Sequence, residues 1–394
     1  MKKFDRITPS GTGDLVFSEC DASYAIIEKL RTLFFNFGYG EVRTPTIEFF
    51  DTFSHGIGKL SQNSLYTLTD SAGRLLVMRP DSTKPIARLY ASRLYMRTLP
   101  LRIYYTQPVF RRNIELCKKS DEFQQSGIEL IGSDSFKADL EVLSLAVNSM
   151  YSIFGDDFYL EIGHMGLLRP LLDSIEDEDL KREVKIAIAT KNYPDLLKLS
   201  KSLDSNAELL NFIPNLLGSS DLLSKAKTIF KGANNQRILD NLQLLCENAT
   251  KFMSPNNLIV DLAVMNEYDY YTGVVFRAYI KGEGAEILSG GRYNTLYSDY
   301  KLNIPAIGFA INIDRASKAL LKQQLYKIKK RKLAVIFSST PGFDNTTIIN
   351  NLVKGGYTII NSLLDTKEAT LLYAKEIGAD LIVCPDNDEL VKLK

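Results

Sequence analysis

The chain has 394 residues, 45% hydrophobic and 24% charged, values of a soluble globular protein with room for two or three domains and a sizeable core. A net charge of +1 excludes a global field that recruits nucleic acid or anionic lipid, and the densest basic run, Lys327–Lys332, reads as a solvated connector. No apolar run reaches the ~20 residues of a membrane span, and none follows the N-terminal lysines as a signal peptide requires.

Four cysteines, Cys20, Cys117, Cys246 and Cys384, lack paired spacing, which argues against zinc or a disulfide framework and for a reducing cytoplasm. His55 and His164 are the only histidines, too few for histidine-based metal or triad chemistry.

In chain order, Ile26, Ile27, Leu30, Leu33, Phe34 and Phe37 follow a helical spacing that Gly38 stops. "YGEVRTPTIEFF" reads as extended. "RLLVMRPD" reads as a strand, and "STKPIARLYASRLY" as a helix capped by Ser82 with Pro85 in its first turn. "LRIYYTQPVFR" and "EFQQSGIELIG" read as an antiparallel pair joined by the loop Arg112–Glu122. A helix covers Ala138–Phe154, and "FYLEIG" and "LIVDLAVM" are strands. Between those strands, 165–252 is expected to be wholly helical, with Ser174 and Asp177 spaced as a capping box. "DYYTGVVFRAYI", "AEILSGGRY" and "IPAIGFAINI" return to strand character. From Leu333 a β-α-β-α-β order, beginning "LAVIFSS" and ending "ADLIVC", predicts a small α/β domain.

Four stretches concentrate polar residues on or beside strands: "RPDST" (79–83), "FRRN" with "QQSGIE" (110–113, 124–129), "NEYDYYTG" (266–273) and "SGGRY" (289–293). Asp81, Glu129 and Asp269 supply carboxylates, and Thr83, Gln125, Tyr270 and Tyr271 supply neutral hydrogen-bonding groups. Acceptors on a sheet face suit an ammonium- or imidazole-bearing ligand, whose donors need partners once desolvated. Gly290 and Gly291 are expected to let such a ligand approach the backbone. Each residue alone has a plainer reading, as turn former, helix cap or core tyrosine.

In this order the stretches resemble the catalytic core of class II aminoacyl-tRNA synthetases of the histidyl type, over roughly residues 5–320. "YGEVRTPTIEFFDTF" resembles their first motif, which builds a dimer interface. "YYTQPVFRR" with "EFQQSGIELIG" resembles the second, with Arg111 at its phosphate-binding arginine, and "IPAIGFAINIDR" the third, ending in Arg315. "RPDST" resembles the amino-acid loop and "DYYTG" the histidine box. The resemblance implies an α+β fold: a class II synthetase-like antiparallel sheet flanked by helices, with an inserted helical module at about 165–252. The core would span 1–325, and 333–394 would form the small C-terminal α/β domain.

Three positions depart from the enzymes. Their histidine box begins with an arginine, where this chain has Asn266; the acid of the second motif falls at Asn113; an arginine before the Gln-Phe turn falls at Asp121, followed by Glu122. Phosphoryl chemistry needs fixed cations, and losing one transition-state arginine costs about 10³–10⁵ in rate. Asp121 and Glu122 are expected to repel a triphosphate, while Arg111 and Arg315 keep some anion contact.

"MRPDSTKPIARL", the helical module and "YDYYTGVVFRAYIKGEGAEILSGGRYNTL" resemble instead the regulatory-subunit branch of the family, the ATP phosphoribosyltransferase regulatory subunits. That resemblance implies no catalytic residue, no cofactor and no metal. It implies a partner in the short catalytic subunit of ATP phosphoribosyltransferase, self-association through the class II core, no tRNA and no membrane. Asp81, Ser82, Thr83, Arg111, Gln125, Glu129, Tyr270 and Tyr271 would form a retained histidine-like pocket, with free histidine its ligand. The same residues could instead persist as scaffold, with histidine sensed elsewhere in the complex. Two other activities compete: a histidyl-tRNA synthetase, and a phosphoribosyltransferase using "FDNTT" (343–347), where Asp344 reads better as a helix N-cap.

Overall fold

The computed structural model describes residues 6–112, 120–201, 207–265, 270–282, 284, 286–326, 331–339, 346–387 and 389–393. Asn113, Asn266, Asp269 and Asp344 lie outside them. The described chain divides into two compact units, Met1–Tyr326 and Lys327–Lys394.

Helix α1 (Ser18–Asn36) buries Ala22, Ile26, Leu30 and Phe34, one residue per turn on one stripe. Gly38 takes φ +80, a conformation that costs glycine little and ends the helix. Phe34 lies between the rings of Tyr104 and Phe309, at 5.8 and 5.9 Å, so α1 is pinned to the sheet by aromatic edges.

A three-stranded antiparallel sheet follows: β1 (Ile47–Phe49), β2 (Tyr66–Thr69) and β3 (Leu75–Met78), with β3 central. Helix α2 (Thr83–Leu89) comes next, but Ser82 is not its cap. Asp81 Oδ1 accepts from Lys84 N at 3.0 Å, while the Ser82 hydroxyl turns to Gln125. A carboxylate one residue earlier reaches the exposed amides as well as a hydroxyl would.

The main sheet contains β4 (Leu101–Phe110), β5 (Glu122–Ile131), β6 (Phe158–His164), β7 (Leu258–Asp261), β8 (Val274–Ile280), β9 (Glu286–Arg292) and β10 (Ala306–Asn312). From edge to edge its order is Gly40–Glu41, β4, β5, β10, β9, β8, β6, β7, Leu217–Gly218. All neighbours are antiparallel except the Gly40–Glu41/β4 and β6/β7 pairs. Helix α3 (Phe136–Phe154), capped by Ser135, buries Val142, Leu143, Ala146, Val147 and Met150 in the same core as α1.

Between β6 and β7 the chain is helical, with α4 (Glu178–Ala189), α5 (Tyr193–Ser200) and α6 (Ala233–Ala249) among its elements. It is not wholly so: Leu217–Gly218 pairs with β7 at the sheet edge. The predicted capping box does not form. Asp177 alone caps α4, accepting from Asp179 N and Leu180 N, because the Ser174 hydroxyl donates to Leu171 O. Helix α7 (Ile313–Lys322), capped by Asn312, completes the first unit.

In the second unit, β11 (Lys332–Ile336), α8 (Thr346–Lys354), β12 (Tyr357–Asn361), α9 (Lys367–Glu376) and β13 (Leu381–Cys384) give the expected alternation. A further strand, β14 (Glu389–Lys392), adds antiparallel to β13, giving the order β12-β11-β13-β14. Its four residues offer too little pattern to be read from sequence. Among the described residues no helix is long and apolar enough to cross a membrane.

Truncating Phe34 removes the ring wedged between α1 and the sheet. Phe34→Ala is expected to cost about 3–5 kcal/mol of stability, measured by urea denaturation.

Candidate ligand pocket

Alternation along β5 puts Gln125, Gly127 and Glu129 on one face of the sheet. Their partners on β10 are Asn312, Ala310 and Gly308, small where the face must be hollow. A Cβ at Gly308 would strike the Glu129 carboxylate and the Ile128 carbonyl, and one at Gly127 would strike Phe309 O. These two positions need glycine for close approach. Gly290 and Gly291 do not open the face to a ligand as expected: a Cβ there would meet Gly308 O at 2.6 Å and Tyr271 at 2.8 Å respectively. They serve strand packing.

The resulting pocket, about 30 Å³, is lined by Asp81, Thr83, Arg111, Gln125, Glu129, Tyr270 and Tyr271, together with Tyr105 and Tyr293. Seven of the predicted residues therefore meet in one place. Ser82 stands behind them, fully buried, donating from Oγ to Gln125 Oε1 at 3.2 Å. Sequence reading missed Tyr105 and Tyr293, although both lie in quoted motifs; their alternation parity on β4 and just past β9 was the available signal.

Glu129 is the centre. Only 2% exposed, it accepts from Thr83 Oγ1 at 2.9 Å and from the Tyr293 hydroxyl. Burial pushes its carboxyl up to about 8 and nearby Asp81 adds to this, while the Tyr293 and Thr83 hydrogen bonds pull the other way. Asp81 is also raised by burial, against the Lys84 amide and the Arg111 and Lys84 charges. Tyr270 meets Tyr271 in a tilted contact at 4.7 Å and Tyr293 edge-on at 5.6 Å, closing the apolar wall. Asp81 thus faces the Arg111 and Lys84 charges, whereas among the described residues no cation acts on Glu129.

Beside it lies a wider cleft of about 610 Å³, sharing Arg111 and Gln125 with the pocket and lined also by Arg112, Arg277, Glu286 and Arg315. Arg111 Nε donates to Pro80 O at 2.8 Å and its guanidinium covers the Phe123 ring at 5.6 Å. Arg315 Nη1 donates to Glu286 O at 3.0 Å, and burial lowers its pKa. Arg277, absent from the predicted set, comes from the middle of β8.

The histidyl-tRNA synthetase family profile matches residues 11–316. An ATP phosphoribosyltransferase regulatory subunit of Clostridium botulinum is 34% identical, over 97% of this chain and 92% of the relative. One from Bacillus cereus is 31% identical over 100% and 94%. The chain belongs to the family of ATP phosphoribosyltransferase regulatory subunits. Among solved structures, the Bacillus halodurans protein described as an ATP phosphoribosyltransferase regulatory subunit/histidyl-tRNA synthetase superposes with TM-score 0.82 at 26% identity, covering 97% of this chain and 99% of that one. Histidyl-tRNA synthetase from Nostoc superposes at 0.78 and 20% identity, over 99% and 97%, a likeness of fold. The regulatory-subunit family thus rests on the class II synthetase α+β fold.

Within this regulatory-subunit frame, Asp121 is turned away from the cleft. Its carboxylate accepts from the Tyr66 hydroxyl at 2.5 Å, and its backbone joins Gly11 and Arg111. Glu122 lines a separate cavity of about 350 Å³ with Asp14, Asp314 and Lys318. Neither carboxylate lines the arginine cleft. Cys20, Cys246 and Cys384 are free thiols.

The raised Glu129 carboxyl carries a stability consequence. Between about 4.5, its ordinary value, and about 8 the unfolded chain has released this proton and the folded chain retains it. Folding stability therefore falls across that window as pH rises. Glu129→Gln is expected to flatten this slope, raising Tm relative to wild type at pH 8 more than at pH 5, as read by calorimetry.

Proposed function

We propose that this chain is the non-catalytic regulatory subunit of a cytoplasmic ATP phosphoribosyltransferase, assembling with the short catalytic subunit for the first step of histidine biosynthesis. In this reading it also mediates feedback by free histidine, bound at the Glu129 pocket. The observation that carries the ligand assignment is Glu129: a buried carboxyl whose ionised form has no cation among the described residues. An imidazolium or α-ammonium group supplies that charge, and its arrival lowers the Glu129 pKa so that the carboxyl releases its proton to water. A volume of about 30 Å³ holds little more than a water molecule, so histidine must displace the Tyr293 hydroxyl from Glu129 and part the Tyr270–Tyr271 wall. Binding is then tied to rearrangement, which is what gives a ligand different affinities for two states.

The arginine cleft does not make the chain a synthetase in this account. Arg111 and Arg315 are partly engaged by backbone carbonyls, and the box that would carry a further arginine reads Asn266. Histidine-dependent pyrophosphate exchange by the purified chain is expected to stay at background; exchange above it favours the synthetase.

Self-association has its own support. On one face of the small sheet, Ile47 and Phe49 are 45% and 48% exposed beside Leu68, Leu76 and Met78, an apolar surface that a second copy of this chain would cover. We therefore read the chain as a homodimer within the hetero-oligomer, with no tRNA partner.

Two experiments test these assignments. Co-purified with the short catalytic subunit, the wild-type complex should be inhibited by histidine and the Glu129→Ala complex should need at least about tenfold more, the size of one lost charge-assisted contact. Normal inhibition of the variant would move the sensor elsewhere. Separately, Phe49→Glu should convert a dimer to a monomer in light scattering, with unchanged far-UV dichroism; a dimeric variant removes this face from the interface.

A further inference from the structure

A transverse row of residues crosses the sheet from the helical module to the pocket. Strand pairing sets Glu161 on β6 opposite Arg277 on β8, Arg277 opposite Ser289, Ser289 opposite Ala310, and Ala310 opposite Gly127 beside Glu129. All therefore share the face that carries the pocket and the cleft.

At the outer end two carboxylates are buried together, Glu161 at 6% and Asp261 at 3% exposure. Lys191, in the turn between α4 and α5, places Nζ 3.1 Å from Asp261 and 3.6 Å from Glu161. It does so from φ +52, a conformation unfavourable for a residue with a Cβ. The same module reaches the arginine cleft, where Ala189 at the end of α4 forms part of the wall.

Arg277 stands between this cluster and the cleft. Its Nη1 is 3.5 Å from Glu161 Oε1 and its Nε 3.6 Å from Glu286 Oε2, with Tyr279 also facing the guanidinium. Its Nη2 donates to Met265 O at 2.5 Å. Neither Arg277 Nε nor Glu161 Oε1, both buried, has a hydrogen-bond partner among the described residues. A guanidinium beside a carboxylate ordinarily closes to a paired, bidentate contact. Here the second cation, Lys191, offsets the charge of the two acids, and Arg277 is left with a donor unmet at the edge of a cleft that also holds Arg111, Arg112 and Arg315.

We propose that Lys191 is a latch coupling the helical module to anion binding: seated on Glu161 and Asp261, it holds Arg277 available to a phosphate-bearing ligand in the cleft. Arg277 binds the anion, and Lys191 is a positioning residue acting through it. When the Lys191 turn lifts, Arg277 closes onto Glu161 and leaves the cleft. The coupling is reciprocal, so an anion in the cleft holds the module down. This inference is independent of the histidine assignment and of the partner subunit.

The test uses the full chain and inorganic pyrophosphate as probe, with affinity by calorimetry and hydrogen exchange over α4 and α5. Pyrophosphate should slow exchange in both helices. Lys191→Gln should weaken pyrophosphate about tenfold and speed that exchange, whereas Lys191→Arg should keep both. In the Lys191→Gln background, Glu161→Gln should restore affinity, since it removes the competitor for Arg277. Arg277→Gln should abolish the response of the helices to pyrophosphate. Absence of pyrophosphate binding to the wild type, an unchanged affinity in Lys191→Gln, or failure of Glu161→Gln to rescue would each overturn the latch.

Discussion

The structure turns on one costly placement, a carboxyl removed from water at a hollow of about 30 Å³ on one face of a sheet. Glu129 keeps hydrogen-bond donors from Thr83 and Tyr293 but gains no cation among the described residues, and desolvation dominates its protonation. The surrounding sequence accommodates that placement. Gly308 and Gly127 leave space where any side chain would collide, α2 presents Thr83 because Asp81 caps its first turn, and Ser82 orders Gln125 from behind.

The sheet itself is an ordinary antiparallel scaffold whose register sorts chemistry across one face. Acceptors collect around Glu129, while arginines from β8, the end of β4 and the start of α7 collect at the neighbouring cleft. Helices α1 and α3 cover the opposite face with the large apolar core, so the polar face is free to carry function. A fold shared with synthetases thus supplies the positions, and the local side chains decide which chemistry those positions support.

Much of this was legible in the sequence, for identifiable reasons. The long strands and α3 announce themselves by periodicity, and Asp81, Thr83, Arg111, Gln125, Glu129, Tyr270 and Tyr271 meet because ordered motifs fix their strands. The resemblance supplied that order; composition alone did not. What escaped depended on choices between equivalent local partners. Ser82 and Asp81 could each cap α2, and only the position of Gln125 decides between them. Asp121 looked like a cleft residue because sequence cannot show the Tyr66 hydroxyl that turns it away. Gly290 and Gly291 looked like ligand-facing glycines, yet they answer to Gly308, Phe309 and Tyr271 across the sheet. Arg277 was invisible as a site residue because its significance lies in cross-strand register.

In the proposed reading Glu129 holds its proton at neutral pH and releases it to solvent when a cationic ligand binds. Infrared difference spectroscopy of wild type against Glu129→Gln measures this directly, through the carbonyl stretch of the protonated acid. The account predicts a protonated band at pH 7 that titrates near pH 8 and disappears when histidine is added at pH 7. A carboxylate already ionised at pH 6, or a protonated band indifferent to histidine, would contradict it.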